Sequence, residues 1–114
     1  MPMTEAFTFG PFRLQVERRE LLAHGVPVTI GQRAFEILLL LVRRHGQLVT
    51  KDELMAEVWP GIVVEENNIQ VQVSALRKAL GAAGDHERYL LTVAGRGYCF
   101  VAPVEYEPAE QPKT

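Results

Sequence analysis

The sequence predicts an α+β domain in which short strands come first, three helices follow and a β-hairpin closes the fold. Three observations carry this. Apolar and polar residues alternate through much of 7–30, apolar residues recur at helical spacing through 31–80, and two short apolar runs flank Gly95-Arg96-Gly97. At 114 residues the chain fits one domain with a single core.

Phe7-Thr8-Phe9 and Phe12-Arg13-Leu14-Gln15-Val16 have the alternation of half-buried antiparallel strands. Residues 20–23 and 26–30 flank His24-Gly25, which predicts a hairpin. Pro11 and Pro27 suit strand starts or sheet edges, because proline cannot donate to a central ladder.

Residues 31–45 give the clearest helical pattern. Phe35, Leu38, Leu39 and Val42 mark one face, and Ile37, Leu40 and Leu41 widen it until the helix must be central. Gly46 supplies the left-handed stop. Thr50 then stands three residues before Glu53, the spacing of a capping box, so a short second helix starts there and runs through Leu54, Val58 and Trp59 to Pro60-Gly61. The residues 47–49 between the two helices are expected to form the turn of a helix-turn-helix.

A third helix is expected after the loop 60–64, with Glu65 and Glu66 at its positive end. Ile69, Val73, Leu76 and Leu80 share one face and belong to the core. The opposite face carries Asn67, Val71, Ser74, Ala75 and Lys78, with Asn68 and Gln72 on one shoulder and Gln70 and Arg77 on the other. Gly81 and Gly84 are expected to end the helix, 85–88 to be a polar connector, and 89–93 with 98–102 to form the hairpin. A domain over 5–104 results, with the strand platform at 7–30, the helices at 31–80, the hairpin at 89–102 and a polar tail or linker at 105–114.

Composition excludes several classes. No apolar run has the length of a membrane span, and the first residues lack the basic and apolar regions of a signal peptide, so a cytoplasmic chain without membrane contact is expected. Cys99, the one cysteine, falls in an apolar strand and is expected to be a buried, inert thiol. His24, His45 and His86 are scattered without metal-ligand spacing, and no Gly-rich turn cradles phosphate. Neither enzymatic activity, a metal, a cofactor nor a small-molecule substrate is expected. Formal net charge is −2, and the residues after Val104 account for it, since Glu105, Glu107 and Glu110 face only Lys113. The rest of the chain is neutral, so any nucleic-acid affinity must come from a few placed cations or from several copies together.

A helix followed by a hairpin with a basic tip is the outline of a winged helix-turn-helix, in which the helix enters the major groove and the wing reaches the neighbouring minor groove. Asparagine and glutamine amides bond bidentately to adenine, and small side chains such as Ala75 and Val71 meet a thymine methyl. A merely solvated helix face would carry more lysine and glutamate than this one does. Arg96, between two glycines, is placed at a tight reversal, and arginine is favoured by the negative potential of a narrow minor groove.

From about Phe7 to Pro103 the sequence resembles the OmpR/PhoB-type C-terminal DNA-binding domain of bacterial transcription regulators. The matching residues are the Leu-rich first helix, Thr50-Lys51-x-x-Leu54, Val58-Trp59, Val71-x-Val73-x-x-Leu76-Arg77-Lys78-Ala79-Leu80, and Thr92-Val93-x-Gly95-x-Gly97-Tyr98-x-Phe100. The resemblance implies a winged helix-turn-helix with a four-stranded antiparallel N-terminal sheet, three helices and a C-terminal β-hairpin wing, serving response regulators of two-component phosphorelay systems. Carried onto this chain, it implies base-facing positions at Asn67, Asn68, Val71, Gln72 and Ala75. It implies phosphate contacts at Trp59, Arg77, Thr92 and Tyr98; Thr50, Lys51, Ser74, Lys78 and Arg96 complete the candidate phosphate or wing set. Some members have arginine where this chain has Ser74, Ala75 and Ala94, so base preference does not carry over.

Double-stranded DNA is the partner implied, with self-association on tandem half-sites and RNA polymerase as a second partner through the loop 60–64, where Ile62 and Val63 are the candidate contacts. An alternative use is a winged helix given over to protein association with weak or no DNA binding. With Met1 as its start and no receiver ahead of it, the chain is expected to be either an N-terminal effector domain whose sensor follows residue 114, similar to CadC/ToxR placement, or an excised segment.

Overall fold

The computed structural model describes residues 5–81 and 89–108. In chain order the elements are β1 (Ala6–Phe9), β2 (Phe12–Gln15), β3 (Glu20–Ala23), β4 (Val26–Val28), α1 (Gln32–Arg43), β5 (Leu48–Thr50), α2 (Lys51–Val58), α3 (Asn67–Gly81), β6 (Leu90–Val93), β7 (Gly97–Phe100) and β8 (Glu105–Glu107). They form two antiparallel sheets, one of order β4-β3-β2-β1-β8 and one of order β5-β7-β6. The α+β winged helix-turn-helix expected from the sequence is the fold observed.

Strand alternation places Phe7, Phe9, Phe12, Leu14 and Leu21 inward, in the one buried core they share with the helices. The wide apolar stripe of α1 is fully used, since Ala34, Phe35, Ile37, Leu38, Leu41 and Val42 are all buried. From α3, Ile69, Val73, Leu76 and Leu80 close the core, each at most 1% exposed. Burying such an aliphatic side chain contributes roughly 1.5–3 kcal/mol. Edge-on aromatic pairs join the N-terminal sheet to the hairpin region: Phe9 lies 4.9 Å from Phe100 of β7, and Phe12 lies 5.4 Å from Tyr89 just before β6, centroid to centroid.

Four features depart from the sequence reading. The platform has five strands, not four, because Glu105–Glu107 pairs with β1 instead of trailing away as a polar tail. Side chains explain the docking: the Tyr106 ring lies 5.0 Å from that of Phe7, its hydroxyl donates to Glu5 at 2.7 Å, and Glu107 pairs with Arg13 at 2.6 Å. The Glu5 hydrogen bond raises the Tyr106 phenol above its usual pKa. The rest of the expected tail, 109–114, lies outside the described residues, as does the expected connector 85–88.

Secondly, the expected turn between α1 and α2 is largely a strand. Leu48–Thr50 pairs with β7, which gives the wing a third strand and fastens it to the start of α2. Thirdly, the reversal of the wing is Ala94-Gly95-Arg96. Gly95, at φ +74°, supplies its left-handed residue, while Gly97 already belongs to β7. Gly97 faces Thr50 across the ladder, and a Cβ on it would run into the backbone carbonyl oxygen of Val49 and come within 2.9 Å of the Thr50 Cα. Its role is close strand packing. Fourthly, Cys99 is half-buried on the outer face of the small sheet, where its cross-strand neighbours are Leu48 and Leu91. The β7 alternation points Tyr98 and Phe100 inward and so turns the thiol outward.

Candidate nucleic-acid interface

Three pieces of chain converge on one side of the fold: the start of α2, the outer face of α3 and the tip of the β6–β7 hairpin. The capping box forms as the sequence predicts. Thr50 Oγ1 accepts from the Glu53 backbone N–H and Glu53 Oε2 accepts from the Thr50 N–H, both at 3.1 Å. The wing tip is tied to the same point, since the Lys51 N–H donates to the Arg96 carbonyl at 3.1 Å. Because α2 is capped at one end and α3 is packed on α1, the surface between them is set by the core.

On α3, Asn67, Asn68, Gln70, Val71, Ser74, Ala75 and Lys78 are exposed, while Gln72 and Arg77 are half-buried on the shoulders. The helical spacing read from the sequence therefore places every α3 candidate outside the core. Val71 is 54% exposed, an apolar side chain with no cover in the fold. Asn68 is partly committed, since its Nδ2 donates to the Glu65 carbonyl at 3.0 Å. That bond leaves the oxygen and the second N–H of the amide free.

The backbone-directed candidates divide. Arg77 and Thr92 come together, with the Arg77 Nη2 donating to Thr92 Oγ1 and linking α3 to β6. Arg96 and Lys78 are exposed. Lys51 pairs instead with Glu66, Nζ to Oε1 at 2.7 Å, and that hydrogen bond with its charge holds the ammonium above the usual lysine pKa. Trp59 and Tyr98 are chiefly core aromatics, 7% and 5% exposed. In the loop before α3, Ile62 is 54% and Val63 fully exposed, whereas Val64 packs against the core.

The neutral overall charge hides an uneven distribution. Arg13, Arg43 and Arg44 each pair with a glutamate of their own, and Arg19 and Arg33 share Glu36. Arg18, Arg77, Lys78 and Arg96 make no ion pair among the described residues, and three of these four lie on α3 and the wing. Sequence counting missed this because it cannot see which charges neutralise one another. It also missed Glu66 as a partner of Lys51; the two are fifteen positions apart and meet only through the fold.

Comparison with known proteins agrees with this geometry. The sequence model of the family described as "Transcriptional regulatory protein, C terminal" matches residues 25–100. The chain belongs to this family. As an OmpR/PhoB-type domain it is a member of a group of DNA-binding regulatory domains, not of an enzyme family. Transcriptional regulator HilA of Salmonella typhimurium is 34% identical over 110 residues, covering 95% of this chain and 20% of HilA. The chain thus spans about a fifth of that relative's length. The DNA-binding domain of CadC of E. coli has the same fold, with a TM-score of 0.81 at 24% identity over 92% of this chain and 99% of that one. The DNA-binding domain of RstA of Klebsiella pneumoniae, solved in complex with the RstA box, gives a TM-score of 0.69 at 25% identity over 84% of this chain and 96% of that one.

Proposed function

We propose that this domain binds double-stranded DNA by sequence as the output part of a bacterial transcription regulator, with α3 in the major groove and the β6–β7 wing toward the adjacent minor groove. The observation that carries the reading is the outer face of α3. It is exposed, uncharged and amide-bearing at its centre, and is flanked by Arg77, Lys78 and Arg96, three cations without carboxylate partners among the described residues. Amides and small side chains read base edges, while the flanking cations fix the backbone. The DNA-bound state reported for RstA supports the same assignment.

Asn67, Val71, Gln72 and Ala75, with the uncommitted amide groups of Asn68, are assigned to bases. Thr50, Ser74, Arg77, Lys78, Thr92 and Arg96 are assigned to phosphate or wing contacts. Trp59 and Tyr98 contribute at most an edge atom each, and Lys51 only after leaving Glu66. So few cations give a single copy little sequence-independent affinity, and we assign the domain to paired half-sites roughly 10–11 base pairs apart, on one face of the duplex. A cytoplasmic location belongs to the same proposal; among the described residues no helix is long and apolar enough to cross a membrane.

Selection from a random duplex pool, followed by titration of the selected duplex at stepped salt, tests the proposal. Enrichment of one motif, repeated at one-turn spacing, with affinity falling steeply as salt rises, is the expected result. No enrichment together with salt-independent retention would assign the fold to protein association. The exposed Ile62 and Val63 favour a protein contact in either case, and RNA polymerase is the partner assigned to them.

Gln72→Ala separates base reading from phosphate holding. It should cost on the order of 1 kcal/mol on the selected duplex, the lower part of the range for a bidentate amide because Gln72 is half-buried. On a scrambled duplex the loss should be small. Equal losses on both would move Gln72 to the backbone set.

A further inference from the structure

Glu66 occupies an unexpected place for an acid. It stands at the start of the helix assigned to the major groove, its side chain 58% exposed, in a shallow hollow lined by Thr50, Lys51, Asp52, Gly95 and Arg96. Among the described residues it is the one carboxylate paired with a cation of the proposed DNA face; the other pairs take arginines outside that set. We propose that Glu66 limits sequence-independent DNA binding by holding Lys51 away from the phosphate backbone. This inference rests on the DNA-binding reading above.

The physical basis is competition for one ammonium. Lys51 is the first residue of α2, at the positive end of the helix and beside the wing tip, so its side chain is placed where a phosphate would lie against this face. Its Nζ lies 2.7 Å from Glu66 Oε1, and moving to phosphate exchanges one anion for another. An exposed ion pair is individually weak, but a phosphate offers the ammonium little that the carboxylate does not already supply, so the pair is not given up for the backbone. The exchange also leaves the Glu66 charge uncompensated beside the DNA, and like charge at a binding surface opposes association on every sequence. The fold therefore neutralises its own cation at a position where a phosphate would otherwise be gripped whatever the bases.

The test is the Glu66→Gln variant, which keeps the length and hydrogen-bonding groups of the side chain while removing its charge. Binding of the selected duplex and of a scrambled duplex is measured over a salt series for wild type, Glu66→Gln, Lys51→Gln and the double variant. We expect Glu66→Gln to bind both duplexes roughly three- to tenfold tighter, with a salt slope steeper by about one unit, because one more phosphate contact forms. In the Lys51→Gln background the same change should leave the salt slope as it was. Unchanged or weaker binding by Glu66→Gln overturns the inference, as does an equal slope increase without Lys51. A change confined to the selected duplex overturns it too, by making Glu66 a base reader. If wild type retains neither duplex at low salt, the DNA-binding reading itself fails and takes this inference with it; wild-type binding with no gain in the variant refutes the inference alone.

Discussion

Gly97→Ala should destabilise the domain by about 2–4 kcal/mol, enough to lower the melting temperature by more than about 10 °C for a domain of this size. The reason is local and steric. An added Cβ would overlap the Val49 carbonyl oxygen and lie 2.9 Å from the Thr50 Cα, and both are backbone atoms of a paired strand that cannot swing aside as a side-chain end can. Relief requires β5 and β7 to separate. Val49 is buried on β5 and Phe100 on β7, so separation opens the core as well as the ladder. The wing is also fixed to α2 through the Lys51–Arg96 backbone hydrogen bond, so the substitution should disturb wing placement in molecules that remain folded. Thermal melts followed by circular dichroism check the prediction. Gly95→Ala is the control: its Cβ meets nothing within 4 Å, but φ is +74°, and a smaller loss on the order of 1 kcal/mol is expected. Equal losses at the two positions would show that turn strain, not strand packing, governs the wing.

Much of this arrangement is legible in the sequence because it depends on periodicity. The core face of α3 follows from the spacing of Ile69, Val73, Leu76 and Leu80, and the capping box from Thr50 and Glu53; both are local signals. What the sequence does not yield depends on contacts between distant segments. Leu48–Thr50 is too short to distinguish from a turn until β7 lies beside it, and Glu105–Glu107 carries charges typical of a linker until Phe7, Glu5 and Arg13 engage its side chains. Gly97 did carry a readable sign, since a glycine inside a strand pattern suggests close backbone approach. Its nearness to Gly95 disguised it as a turn residue. The candidate site divides the same way: helical spacing exposes Asn67, Val71 and Ala75, while the neutralisation of Lys51 by Glu66 appears only when α2 and α3 are packed.

Arg77→Ala should weaken binding to all duplexes by roughly tenfold to thirtyfold and flatten the salt slope by about one unit, with little change in melting temperature. Arg77 differs from Lys78 and Arg96 in being held. Its guanidinium donates to the Thr92 hydroxyl, so the side chain spans from α3 to β6 with part of its rotamer freedom already lost in the free protein. A phosphate that meets a held guanidinium costs less ordering than one that must immobilise a free side chain, so Arg77 should contribute more than Lys78 or Arg96. Thr92 is exposed, and an exposed side-chain hydrogen bond stabilises the fold by about 1 kcal/mol or less, which is why affinity and stability should separate in this variant. Arg77→Lys keeps the charge and loses the fork. It should preserve the salt slope while recovering only part of the affinity. Thr92→Val, which removes the acceptor together with the hydroxyl's own assigned contact and leaves the arginine, should fall between wild type and Arg77→Ala. Fluorescence anisotropy on labelled duplexes at stepped salt, with melts in parallel, reads all three variants. A wild-type salt slope in Arg77→Ala would remove Arg77 from the phosphate contacts. A melting loss as large as that of Gly97→Ala would make it a structural clamp between α3 and the wing.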